Sequence, residues 1–314
     1  MNDNTLIKKI LTKMPLNIKP VEYLMDALSL GRGAVYRIIK GKRGLTLSEG
    51  IKLSSALGFS LDEIANSNNE NRVIFDLFRN ISSNTEKNYL KALNYYEDYL
   101  DRRFKAEKFE ITVTMNRLLM LTVLSFDNLL KFNYYKSLRL TNEIPPEYTF
   151  SQITVPNRLM ELCHRLAVQK QRISKYTYIM DKDVFKNSVK DIQYYYKRKL
   201  ISDEEIILLK KDLEGAVDLI KKLAQSGYND IRSSFNHYIS AKDIEANTAY
   251  NIYDNDYHES MFWTYSIIPF GVTQHEGACA IHKQWIDAII RNSTLITVQT
   301  KCFRKNILTD NVNM

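Results

Sequence analysis

Residues 20–64 read PVEYLMDALSLGRGAVYRIIKGKRGLTLSEGIKLSSALGFSLDEI, and the parsing of this stretch decides what the first fifth of the chain is. Pro20 suits the first position of a helix, where a missing N–H costs least. Leu24 and Leu28 then face one way. Ser29-Leu30-Gly31 reads as a turn, with Leu30 plugging the core beneath it and Gly31 starting the next helix. Val35, Ile38 and Ile39 mark that third helix, which Gly41 closes. Thr46-Leu47-Ser48-Glu49 is a capping box, in which the Thr hydroxyl and the Glu carboxylate satisfy each other's orphan backbone donors. It opens a fourth helix with Leu47, Ile51, Leu53 and Leu57 expected inside and Gly58 at its end. Ser60-Leu61-Asp62-Glu63 is a second box before a short fifth helix.

Working outward, Leu6, Ile7, Ile10 and Leu11 form an apolar stripe ended by Pro15. Residues 1–66 therefore read as five helical segments. Residues 66–71, Asn-Ser-Asn-Asn-Glu-Asn, are polar and turn-rich, and read as a boundary.

The charge in this segment is unevenly placed. Between Gly31 and Arg43 lie five basic residues, Arg32, Arg37, Lys40, Lys42 and Arg43, and no acidic one. Residues 1–66 hold ten basic and six acidic residues, so half of their positive charge falls within 13 positions. Helices over about 21–28 and 32–40, joined by a short turn, have the spacing of a helix-turn-helix, whose second helix lies in the DNA major groove.

The run from Tyr23 to Ile64 resembles the lambda-repressor-like (Cro/XRE-type) helix-turn-helix family. Val35 in the recognition helix, Gly41-Lys42-Arg43, Ala56-Leu57-Gly58 and Ser60-Leu61-Asp62-Glu63 all fall in register with that family's pattern. Ser29 stands where the family usually has Gly, and Met25 and Ser54 where it has a small Ala. Gly31 and Gly33 replace polar residues at the front of the recognition helix. The resemblance implies a DNA face of Arg32, Gly33, Tyr36, Arg37, Lys40, Lys42 and Arg43. Arg32 and Arg37 are the candidates for base edges, since Arg pairs bidentately with guanine. Tyr36, Lys40, Lys42 and Arg43 are the candidates for phosphates.

Beyond the boundary the expectation is a mainly α protein. The five-helix lambda-repressor-like domain (1–66) would be followed by a helical domain over 72–228 for dimerisation or sensing. A small α+β segment over 229–300 and a loose tail over 301–314 would complete the chain. Helices are expected over about 84–104, 115–138, 153–171, 181–199 and 203–225, with capping boxes at Ser83–Glu86 and Ser202–Glu205. Short strands are expected at 235–240, 247–253, 262–270 and 294–298, a turn at 254–256 and a helix at 276–291.

With 314 residues, 45% hydrophobic and 25% charged, the chain is long and apolar enough to bury a sizeable core. A net charge of +8 suits a polyanionic partner. Cys163, Cys279 and Cys302 are too few and too scattered for a disulfide framework, which suits a reducing cytosol. No signal peptide or membrane-length apolar run is read, and no nucleophile elbow, phosphate loop or dinucleotide fingerprint.

His275, Cys279 and His282 could share a helix face and hold a soft divalent metal, helped by His258, but the capping or surface role is the commoner one. Tyr95-Tyr96, Tyr134-Tyr135 and Tyr194-Tyr195-Tyr196 could stack on bases and are read instead as packing. The expectation is a cytoplasmic regulator of bacterial or phage type. It would be a homodimer on double-stranded DNA, with a small-molecule or protein effector, no cofactor and no catalytic residues. The alternative is an antitoxin-like protein-interaction module.

Overall fold

The computed structural model describes residues 3–14, 19–57, 59–65, 73–77, 84–104, 108–119, 123–253, 257–263 and 271–297. The proposed boundary at 66–71, the turn at 254–256, most of the 262–270 strand and the tail after 300 lie outside these. The chain divides into two compact units, Met1–Ile74 and Phe75–Met314.

The first unit contains α1 (Asp3–Lys13), α2 (Pro20–Leu28), α3 (Arg32–Ile39), α4 (Leu47–Leu57) and α5 (Leu61–Ala65). Its core gathers Ile7, Ile10, Leu24, Leu28, Val35, Ile38, Leu53, Phe59 and Ile64. Two expected core positions are corrected. Leu47 is 76% exposed and Ile51 50% exposed, because α4 turns Gly50 inward beside Leu53, which is buried as expected.

The second unit contains β1 (Asp76–Leu77), α6 (Thr85–Arg103), β2 (Phe109–Met115), α7 (Asp127–Leu140), α8 (Asn157–Gln169) and β3 (Lys175–Asp181). There follow α9 (Val184–Tyr196), α10 (Asp203–Ser226), β4 (Ser234–Ser240), β5 (Thr248–Tyr253), β6 (Tyr257–Phe262), β7 (Gly271–Thr273), α11 (Glu276–Arg291) and β8 (Ser293–Leu295). The strands form one eight-stranded sheet in the order β1-β7-β6-β5-β2-β3-β4-β8. β2, β3 and β4 pair in parallel, and the remaining pairs are antiparallel.

This sheet corrects the expected fold class, a mainly α chain with a five-helix lambda-repressor-like domain, a helical domain and a small α+β end. Two central strands, β2 and β3, lie inside the stretch read as helical, and they pair with the later strands in the same sheet. The expected helix over 115–138 is corrected too. Met115 ends β2, and α7 begins only at Asp127.

Side chains alternate across a strand, so the sheet has two apolar faces. One carries Ile111, Val113, Met115, Tyr176, Tyr178, Met180 and Phe235, packed with α6, α8 and α10 through Leu93, Tyr96, Leu166, Leu209 and Val217. The other carries Ile179 and Tyr250, packed on Cys279 and Ile286 of α11. Helices on both faces are what a parallel core requires.

Several helix ends are fastened by distant residues. The Ser202 box of α10 is local, with Ser202 N–H donating to Glu205 at 2.8 Å and Glu205 N–H to Ser202 Oγ at 3.3 Å. By contrast, α7 is capped from α10, because Asn128 N–H donates to Asp212 at 2.7 Å. Asn84 caps α6 by accepting from Lys87 N–H at 2.8 Å, while Glu143 accepts from Thr85 N–H at 2.7 Å; Ser83 of the expected box lies outside the described residues.

A buried ion pair joins α6 to the sheet. Arg103 lies 3.2 Å from the Glu259 carboxylate, with the two side chains 17% and 3% exposed. Glu259 also accepts from Tyr99 OH at 2.6 Å, Asn251 Nδ2 at 3.2 Å and Gln274 Nε2 at 3.0 Å. Removing one member of such a pair strands the other charge. Glu259→Ala should therefore lower the stability of this unit by about 3–5 kcal/mol, and Glu259→Gln by less. Both tryptophans, Trp263 and Trp285, lie in this unit, so urea unfolding followed by tryptophan fluorescence reads it selectively. An unchanged midpoint for Glu259→Ala would contradict the role assigned to the pair.

Two histidines are buried, His237 on β4 and His282 on α11. Burial pushes each ring from its ordinary 6.5 down to about 4. The unfolded chain then takes up protons below about pH 6.5 that the folded chain refuses until about pH 4. The stability that goes with the neutral rings is complete above pH 6.5 and is lost as pH falls toward 4. Between pH 7 and 5 the loss should be about 2 kcal/mol per histidine. The urea midpoint measured across that range should fall less steeply in His237→Phe.

Candidate nucleic-acid interface

The α2–α3 corner is built from local signals. Pro20 stands in the first turn of α2. Ser29 then reverses the chain in the left-handed conformation (φ 54°, ψ 43°), and the N–H of Leu30 returns to Met25 O at 3.2 Å. Gly31 is extended and opens α3 without a side-chain cap. Leu30 packs on the core, as expected for a plug.

α3 presents two different sides. Val35 and Ile38 are 0% and 1% exposed. Arg32, Gly33, Tyr36, Arg37 and Lys40 are all exposed. These positions follow one another by steps of one and three, so they share one face of the helix. Tyr36 is 46% exposed, a large aromatic surface for a residue with no core role. Eight residues make a helix of about 12 Å, close to the width of the major groove.

The loop after α3 folds back tightly. Gly41 adopts φ 66°, and the N–H groups of Lys42 and Arg43 both return to Arg37 O, at 2.7 and 3.1 Å. This holds exposed Lys42 close to the end of α3. Arg43 is different. Its guanidinium pairs with Glu49 at 2.7 Å. Glu49 also accepts from Thr46 N–H at 2.9 Å, while Thr46 Oγ1 accepts from Glu49 N–H at 3.2 Å, completing the capping box. Partial burial opposes ionisation of Glu49, but the Thr46 N–H and the Arg43 guanidinium outweigh it and hold the carboxyl below its ordinary value. Arg43 thus fastens the loop to α4.

Among the described residues, Arg32, Arg37, Lys40 and Lys42 have no ion-pair partner. Like charges left unpaired on one face create a positive potential that only an outside anion relieves. A Cβ added at Gly31 or Gly33 meets nothing within 4 Å, so the interior of the unit does not demand glycine at either position. In the second box, Ser60 Oγ accepts from Asp62 N–H at 3.1 Å.

The other residues singled out by sequence fall elsewhere. His275 caps α11, its Nδ1 accepting from Ala278 N–H at 3.3 Å. Cys279 and His282 are buried, and both meet Ser260. Among the described residues no group of three His, Cys, Asp or Glu is placed to hold a metal ion. Tyr96, Tyr134 and Tyr135 are buried. Tyr194 and Tyr196 are half exposed, with Arg198 lying 3.7 Å over the Tyr194 ring. No described helix is long and apolar enough to cross a membrane. Sequence reasoning singled out neither His237 nor Lys170, which line a cavity in the second unit.

Ser29 supplies a test of the corner. A left-handed residue with a Cβ is strained, and glycine relieves it at some cost in unfolded-chain entropy. Ser29→Gly should stabilise this unit by a net ~0.5–1 kcal/mol, slowing amide hydrogen exchange in α2 and α3. Faster exchange there would refute the strained-corner geometry. Comparison of the chain with protein-family models, with curated proteins and with solved structures finds no match.

Proposed function

We propose that the first unit is a helix-turn-helix domain of the lambda-repressor-like type that binds double-stranded DNA through α3. The chain would act as a sequence-specific transcriptional regulator, working as a dimer in the cytoplasm, and not as an enzyme. The observation that carries this reading is the exposed face of α3. It gathers Arg32, Tyr36, Arg37 and Lys40 without an acidic neighbour, and Lys42 is held close by.

Chemistry divides the roles along that face. Arg32 and Arg37 carry forked guanidinium groups suited to guanine edges. Lys40 and Lys42 suit phosphates, which position without specifying sequence, and Tyr36 adds a hydroxyl and a ring. Arg43, tied to Glu49, contributes by holding the loop. Open space at Gly31 and Gly33 suits close approach by another molecule's backbone. The second unit would supply oligomerisation or effector sensing. Dimers are expected because one such domain reads a half-site.

A second reading is favoured by one feature. Leu47 and Ile51 stand exposed one turn apart on α4, as they would on a surface that docks protein. In that reading the unit is an antitoxin-like interaction module.

Selection from a randomised duplex pool, followed by titration of the selected sites in rising salt, separates the two. A recovered motif with log affinity falling against log salt is expected. Arg37→Ala should weaken the selected site by about 1–3 kcal/mol and relax one base position. Lys42→Ala should weaken all sites alike and reduce the salt slope by about one. Absence of binding at low salt would overturn the DNA reading in favour of the protein-docking one.

A further inference from the structure

Between the sheet and α10 the second unit holds a cavity of about 140 Å³. Its floor is an aromatic array on β3 and β4. Tyr176 and Tyr178 stack at 5.4 Å with planes 3° apart, Tyr176 and Phe235 at 5.2 Å and 19°. His237 stacks on Tyr178 at 5.3 Å and 25°. The register explains the array, because Tyr176 pairs with Phe235 and Tyr178 with His237 across the parallel ladder. A cavity of this size takes one benzene-sized ring.

His237 lines this cavity and is 1% exposed, yet neither ring nitrogen has a hydrogen-bond partner among the described residues. A buried polar group left in this state costs stability. Its backbone is satisfied, so the ring alone is left wanting. Other polar groups of the lining are engaged. Lys222 lies 3.9 Å from Asp230, and both are exposed. Asn229 donates to Gln171 O at 2.8 Å, and its Oδ1 accepts from Ile231 N–H at 3.1 Å and Ser233 N–H at 2.8 Å. Lys170 has an interaction of its own.

We infer that this cavity is a binding site for a small uncharged hydroxyaromatic molecule of the phenol class, its ring laid against Tyr176, Tyr178 and Phe235 and its hydroxyl hydrogen-bonded to His237. Planar rings prefer offset stacking on such an array. Burial holds the His237 ring neutral, down to about 4, and a neutral imidazole offers one donor and one acceptor. A hydroxyl can serve either nitrogen, because it both donates and accepts. A carboxylate is disfavoured, since it would shed its water beside an uncharged ring. As an effector site the cavity rests on the regulator reading. As a binding site it concerns the second unit alone, and it is tested without DNA.

Full-length protein is titrated calorimetrically with phenol at neutral pH. Toluene serves as a ring of the same shape without the hydroxyl, cyclohexanol as a hydroxyl without the aromatic ring, and benzoate as a charged ring. Phenol should bind more tightly than all three. His237→Phe keeps the stacking, so the unliganded protein should melt at the same temperature or higher. Its affinity for phenol should fall about tenfold while toluene binds undiminished, so that the preference for phenol is lost. Leu219→Trp, on the partly exposed flank of the cavity, should block every ligand.

Absence of heat and of a melting shift with all four compounds at millimolar concentration would overturn the site. Toluene binding as well as phenol in the parent protein, or undiminished phenol binding in His237→Phe, would overturn the role of His237. Cyclohexanol matching phenol would overturn the stacking, and benzoate exceeding phenol the uncharged assignment. DNA binding can fail while these titrations succeed, and the reverse, so the two readings fall separately.

Discussion

β3 is buried along nearly its whole length, and a strand in that position needs cover on both faces. The second unit is arranged around this constraint. β2 and β4 flank β3 in parallel, so each link between them must cross over outside the sheet, and the links are helical. α6, α8 and α10 close one face and α11 the other. The return from β4 to β5 must pass the ends of β3 and β2. Asp181, the last residue of β3, secures that passage. Its two carboxylate oxygens accept from Asp183 N–H at 2.8 Å and Ile244 N–H at 2.7 Å. Lys182 and Asp243 pair beside it. Thr114 and Asn116 at the end of β2 reach Ala246 O and Ile244 O, at 3.0 and 3.1 Å. The crossover is thus held by side chains standing where the parallel strands stop.

The antiparallel half of the sheet solves a different problem. β5 and β6 put Asn251, Tyr253 and Glu259 on the face that α6 covers, and these polar side chains cannot be left unpaired there. Arg103 answers them, lying 3.7 Å over the Tyr253 ring while it pairs with Glu259. A buried charge pair adds little over an apolar substitute, but it makes one alignment of partners much better than its neighbours. The register of β5 on β6 sets Asn251 opposite Glu259. A slip of one residue would carry that carboxylate to the α11 face, away from Arg103.

What could be read in the sequence was what is encoded locally. The Thr46–Glu49 and Ser202–Glu205 boxes form as spelled, and α10 and α11 lie where periodicity put them. β2 and β3 were missed because a short apolar run buried on both faces looks like a piece of helix. Their content of Ile, Val, Thr and Tyr, in FEITVTM and KYTYIMD, was the available signal. The start of α7 was illegible for another reason, since its cap is Asp212, 84 positions from Asn128. The basic face of α3 was legible, because inward Val35 and Ile38 determine which side chains must point out. The tie of Arg43 to Glu49 was not foreseen, although both stand in the quoted stretch, because the resemblance set Arg43 among the phosphate contacts and a separation of six positions matches no local pairing rule.

The two buried histidines show how far burial alone can be interpreted. His282 has both nitrogens engaged, at 2.8 Å to Ser260 Oγ and 2.8 Å to Thr248 Oγ1, and Thr248 continues to Thr114 at 2.8 Å. That ring is a strut, since its polarity is consumed in fastening α11 to β5 and β6. His237 is as deeply buried and as strongly biased toward neutrality, but its nitrogens fasten nothing. Phenylalanine would fill the same place in the stack without the desolvation cost. The difference between the two rings therefore lies in what each one borders. His282 is surrounded by hydroxyls, and His237 borders the one cavity among those described that is large enough for a ring. Polarity that the fold leaves unused, beside space that the fold leaves unfilled, is better explained by a guest than by packing.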